Sequence, residues 1–123
     1  MKILIADDDH NQVRMVQEWF ARKDHQVISA ENGEETIAQA LRENPDVILL
    51  DVMMPIMNGW EVCKYLRSKN QFDKTAIIML TAIGPNLNEM TSPLYGADEF
   101  VDKPFLFDEL EQKMETAVAK RAG

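Results

Sequence analysis

Short apolar runs alternate along this chain with stretches whose apolar residues recur every three or four positions. Lys2 to Ala6 is apolar nearly throughout, as a buried strand requires, and the stretch after it carries Val13, Val16 and Phe20 on one helical face. Val27 to Ala30 predicts a second strand. Asn32-Gly33-Glu34-Glu35 then supplies an N-cap and an acid at the third helical position, the composition of a capping box, before a helix bearing Ile37, Ala38 and Leu41. Pro45 cannot continue that helix, and Val47 to Leu50 follows as a third strand closed by Asp51. Pro55 and Asn58-Gly59 force a loop, and Asn58 with Glu61 opens a helix bearing Val62 and Leu66. Ala76 to Leu80 predicts a fourth strand ending at Thr81, and Glu99 to Val101 a fifth, ending near Lys103-Pro104. A final helix runs from about Phe107 to Arg121, with Leu110, Met114, Ala117 and Val118 at helical spacing.

Strands alternating with helices imply parallel βαβ crossovers, hence an α/β fold with helices on both faces of the sheet. Ligands of such sheets bind outside the carboxyl ends of the strands. This chain places Asp7, Asp8, Asp51, Thr81 and Lys103 at those ends. Crowded carboxylates raise one another's pKa or bind a cation, and an all-oxygen set without clustered His or Cys suits Mg²⁺ far better than zinc. Such an ion and the Lys103 ammonium would neutralise a phosphoryl group arriving at Asp51, with the Thr81 hydroxyl donating to a phosphoryl oxygen. That is the layout expected for phosphoryl transfer to a carboxylate.

Bulk properties narrow the class further. A length of 123 residues is expected to form one domain, residues 1–123. The net charge of -8 argues against direct binding of nucleic acid. The lone Cys63 cannot form an internal disulfide, and neither a signal peptide nor a membrane span is visible, so the chain is expected in the cytoplasm.

The ordered set of motifs resembles the receiver domain of two-component response regulators over essentially the whole chain. It comprises the acidic pair Asp7-Asp8, Asp51 followed by Met54-Pro55 and Gly59, Thr81-Ala82, and Lys103-Pro104-Phe105. The resemblance implies a flavodoxin-like (βα)5 doubly wound parallel sheet of strand order 2-1-3-4-5. It implies Asp51 as phosphoacceptor, Mg²⁺ held by Asp8, Asp51 and the Met53 carbonyl with Asp7 acting through water, and Thr81 and Lys103 on the phosphoryl group. It further implies a switch in which Thr81 and the strand-five aromatic, here Phe100, reshape the face formed by the helix near 84–96, strand five and the final helix. Phe100 lacks the hydroxyl of the tyrosine often found there. A cis Lys103-Pro104 peptide is expected as well.

Met53 and Ile83 flank the phosphoryl group in that family; both are apolar here, so self-dephosphorylation is expected to be slow to moderate. The donor would be a histidine kinase or phosphotransfer protein, and the response would pass to a protein target or an output domain. The chain would be a monomer or a phosphorylation-dependent dimer, and not an enzyme beyond phosphorylating itself from a donor and dephosphorylating itself. Pro93 predicts a short, kinked or partly unwound helix between about Glu89 and Pro93, since an interior proline costs roughly 3 kcal/mol.

Plainer readings account for other residues. Asp9 is expected to cap the first helix, His10 and His25 to lie on the surface, and Cys63 to fill space as a small apolar group. Met53, Met54 and Met57 are expected to fill gaps, Trp19 and Trp60 to pack, and Glu109 and Glu111 to form a solvated face. Two alternative functions stand against the signalling module: a receiver-like scaffold independent of phosphorylation, and a small phosphatase using Asp51 as nucleophile. The phosphatase resembles the haloacid dehalogenase family, which expects an acid where Met53 stands. A flavodoxin-like cofactor protein would need a Ser/Thr/Gly-rich loop after strand one, and none is present.

Overall fold

A computed structural model describes residues 1–82 and 95–122, Thr81 through its backbone only. The elements are β1 (Lys2–Ala6), α1 (His10–Ala21), β2 (Gln26–Ala30), α2 (Gly33–Glu43), β3 (Val47–Asp51), α3 (Gly59–Arg67), β4 (Ala76–Thr81), β5 (Glu99–Asp102) and α4 (Phe107–Ala122), with a 3₁₀ turn at Asn70–Phe72. The five strands form one parallel sheet in the order β2-β1-β3-β4-β5. The expected helix over 84–96, its kink at Pro93 and the position of Ile83 lie outside the described residues.

Alternation along the central strands fills two cores. Ile3, Ile5, Leu49, Ile78 and Leu80 turn to one face, where Val16 and Phe20 of α1 and Leu110, Met114 and Ala117 of α4 cover them. Leu4, Ala6, Ile48, Leu50, Ile77 and Met79 turn to the other, beneath Ala40 of α2 and Val62, Cys63 and Leu66 of α3. Strands buried on both faces need continuous apolar sequence, which β1, β3 and β4 have. β2 and β5 border the sheet. On β2 the Gln39 amide donates to the Ser29 carbonyl at 3.4 Å.

Helix starts follow the caps read from sequence, with one difference. Asp9 accepts from the Asn11 and Gln12 amides, and Asn58 and Glu61 complete a reciprocal capping box on α3. At α2 only half the box is made, the Asn32 side chain accepting from Glu35 N at 2.7 Å. α2 also departs from its expected face. Gly33, Thr36 and Ala40 are its buried residues, Ile37 is half-buried, and Ala38 and Leu41 face solvent. The close seat of this helix explains the difference, because a Cβ at Gly33 would collide with Met57, and small residues therefore line the contact.

Other expectations divide. Cys63 is buried, and burial pushes its thiol up to about 12. Trp19 stacks on Phe107 and Trp60 on Tyr95, with centroids 5.2 and 5.9 Å apart. His10 is exposed, whereas His25 is half-buried against Phe20 and bonded to the N-terminal amine. Met54 and Met57 pack on the core, but Met53 stands 66% exposed and fills no gap. Glu109 is exposed, whereas Glu111 is half-buried and pairs with Lys23 at 3.0 Å.

Candidate functional site

The carboxyl edge of the sheet gathers its acids through backbone contacts that the local sequence makes possible. The chain leaves β1 with Asp7 N donating to the Ala30 carbonyl, and Asp7 Oδ1 accepts from Asp9 N at 3.0 Å. Asp9 is thereby fixed as a cap, and Asp7 is left fully buried while Asp8 stays exposed. Beyond β3, Gly59 N closes on the Val52 carbonyl at 2.9 Å and brings α3 against the strand end. Only glycine permits that approach, since a Cβ at residue 59 would collide with the Asp51 carbonyl. The loop between bends back, so that Met53 N donates to Asp51 Oδ1 at 3.1 Å.

Asp7, Asp8 and Asp51 each offer a carboxylate oxygen within 4.8 Å of the others. Lys103, on the turn after β5, joins two of them, its Nζ donating to Asp7 Oδ2 at 2.6 Å and to Asp51 Oδ2 at 3.2 Å. Burial pushes the Asp51 carboxyl up to about 6; the Lys103 ammonium opposes that rise and the Asp7 charge adds to it. For Lys103 the two carboxylates outweigh burial and hold the ammonium above its ordinary value. Three carboxylates around one ammonium leave negative charge in excess at a partly open edge. An oxygen-only set of this kind fits a hard divalent cation.

The remaining residues singled out from sequence fall around this cluster. Thr81 ends β4 in register with Asp102 of the neighbouring strand. The Lys103-Pro104 peptide is cis, as expected. Phe100 is half-buried on border strand β5, with Lys113 Nζ 2.9 Å from its carbonyl oxygen and 5.0 Å from its ring centroid. Sequence reading assigned Lys103 to an incoming group and missed its contact with Asp7, a pairing between residues 96 positions apart.

It also missed a charge cluster at the opposite edge. Asp98 accepts there from Arg67 and Arg121, each at 2.7 Å, and from Ile77 N at 2.9 Å. No local pattern announces that cluster, because its members come from α3, β4, α4 and the segment just before β5.

Residues 3–115 match the family model described as the response regulator receiver domain. The chain belongs to that family. It is 42% identical over 104 residues to the transcriptional regulatory protein ResD of Bacillus subtilis, covering 85% of this chain and 42% of that one. It is 37% identical over 121 residues to the alkaline phosphatase synthesis transcriptional regulatory protein PhoP of the same organism, covering 98% and 49%. The chain thus spans under half the length of these two relatives. Among solved structures, the Francisella response regulator 1452 receiver domain superposes with TM-score 0.88 at 30% identity, covering 97% of each chain. The Vibrio cholerae chemotaxis protein CheY4 gives 0.87 at 31%, covering 94% of this chain and 97% of that one.

Proposed function

We propose that this receiver domain accepts a phosphoryl group on Asp51 from a histidine kinase or phosphotransfer protein and passes the signal to a protein target or output domain. The observation that carries the reading is the meeting of Asp51 with Asp7, Asp8 and Lys103 at the open edge of the sheet. An Asp51 carboxylate oxygen would bond to phosphorus as the bond from phosphorus to the donor breaks, the electron pair leaving with the donor. Asp8, Asp51 and the Met53 carbonyl would hold Mg²⁺, with Asp7 acting through water. When bound, the ion supplies positive charge to the phosphoryl oxygens. Lys103, now shared between Asp7 and Asp51, would turn to a phosphoryl oxygen, and the Thr81 hydroxyl would donate to another. ResD and PhoP are transcriptional regulatory proteins longer than this chain, which supports output through an attached domain or a separate protein.

Readout would run through Thr81 and Phe100, the latter coupling by packing alone, and would govern a downstream contact or a phosphorylation-dependent dimer. The apolar Met53 side chain offers nothing to orient an attacking water, which supports a phosphoryl lifetime longer than seconds. Among the described residues no helix is long and apolar enough to cross a membrane, which fits a cytoplasmic site of action. The test is intact mass after incubation with Mg²⁺ and acetyl phosphate, beside Asp51→Asn. One added phosphoryl group on the wild type alone, lost on chelation, is the expected result. A modified Asn variant, or an unmodified wild type of intact fold, overturns it.

A further inference from the structure

On the α2/α3 side of the sheet an open groove of about 420 Å³ runs between the two helices, lined by Glu34, Ile37, Ile56, Met57, Glu61 and Tyr65. Three observations make it more than a gap between helices. The first is apolar exposure: Ile56 is 74% exposed, and Leu41, one turn beyond Ile37 on α2, and Tyr65 are exposed as well. The second is backbone strain. Ile56 holds φ at +74°, a left-handed conformation that a β-branched side chain resists, and its side chain returns almost no burial for it. The third is charge. Glu34 and Glu61 stand in the first turns of α2 and α3, so both acids lie at one end of the groove, and neither forms an ion pair among the described residues.

These features select the occupant. Its long walls are the helices α2 and α3 and the rest of its lining is the loop residues Ile56 and Met57, so no strand edge lines the groove, and an occupant must satisfy its own backbone. We infer that the α2/α3 groove docks an amphipathic helix of another protein, its apolar stripe on Ile37, Ile56, Met57 and Tyr65 and its Arg or Lys residues at Glu34 and Glu61. Cations favour the last turn of a helix, where they complement its dipole, so the docked helix lies with its C-terminal end at the acidic end of the groove. The surface requires no phosphorylation of Asp51.

The test uses unphosphorylated protein and three synthetic sixteen-residue peptides: one with a leucine stripe at helical spacing and two arginines in its last turn, one with glutamates replacing the arginines, and one scrambling the first. Backbone and methyl NMR spectra are followed during titration. Saturable shifts centred on Ile37, Ile56, Met57 and Tyr65 are expected with the arginine peptide, and binding roughly tenfold weaker or absent with the other two. Ile56→Ser is expected to weaken the arginine peptide about fivefold or more. Glu34→Lys combined with Glu61→Gln, which keeps a side-chain acceptor for Asn58 N, is expected to erase the preference for arginine over glutamate.

Several results overturn the inference: no saturable shifts, equal binding of all three peptides, or shifts centred on the α1/α4 face. So do an unaltered affinity in either variant, and groove shifts that grow with protein concentration alone, which would make a second copy the occupant.

Discussion

Replacing Asp51 by Asn should stabilise the metal-free protein, even though Lys103 then faces a neutral amide oxygen in place of a charged partner. Burial raises the Asp51 carboxyl from its ordinary 3.8 to about 6, the Asp7 charge contributing and Lys103 opposing. A raised pKa means that the folded state holds the proton more tightly than the unfolded chain, so ionising Asp51 costs folding free energy. The cost is absent below about pH 4, grows as pH rises, and is complete above the folded pKa of about 6. An interval of roughly two pH units corresponds to ~3 kcal/mol. The side chain keeps 8% of its surface in solvent, and water reaching it trims the figure. We expect about 1–3 kcal/mol, or roughly 4–12 °C in Tm for a chain of this size. Thermal melts of both proteins in EDTA should show the Asn variant higher at about pH 7.5, with the gap closing near pH 4. A variant equal to or less stable than wild type at the higher pH would refute the account of Asp51 as a costly buried charge.

Three further outcomes follow from the packing. Gly59→Ala drives a methyl into the Asp51 carbonyl, so urea unfolding should show a loss of about 2–4 kcal/mol and phosphoryl uptake should slow; wild-type values for both would count against the contact. Asp98→Ala strips the acid from Arg67 and Arg121 and the acceptor from Ile77 N, and should cost about 3–5 kcal/mol in the same assay, with Asp98→Asn losing less. The Cys63 thiol, buried and pushed up to about 12, should react with a thiol reagent only as fast as the protein opens, and the rate should climb with urea.

The carboxyl-edge residues were legible because each sits where a periodic apolar run stops. Asp51 closes Val47 to Leu50, and Asp7 closes Lys2 to Ala6, so strand period and strand end are read together. The caps at Asp9 and Asn58 were legible for a similar reason, since their partners lie two or three residues away. Contacts set by the third dimension were not. Nothing near Lys103 points to Asp7, and nothing near Asp98 points to two arginines on different helices. The outward turn of Leu41 was hidden because Thr36, a polar residue, takes the buried place on α2 by donating its hydroxyl to the Asn32 carbonyl at 2.7 Å. The exposure of Met53 likewise depends on the loop bending back to Asp51, which residue type alone does not encode.

The contact between Lys113 and the Phe100 carbonyl also bears on what the sheet refuses to do. β5 is a border strand, and a free carbonyl on a border is where a strand from another chain would begin to pair. An ammonium already occupies that acceptor, and a newcomer would have to displace it without offering an equal charge. On the far border the Gln39 amide meets the Ser29 carbonyl in the same way. Among the described residues each border of the five-stranded sheet thus has an outward carbonyl taken by a side chain from a neighbouring helix, which disfavours a further strand pairing there and leaves the helical faces as the open surfaces of this acidic protein.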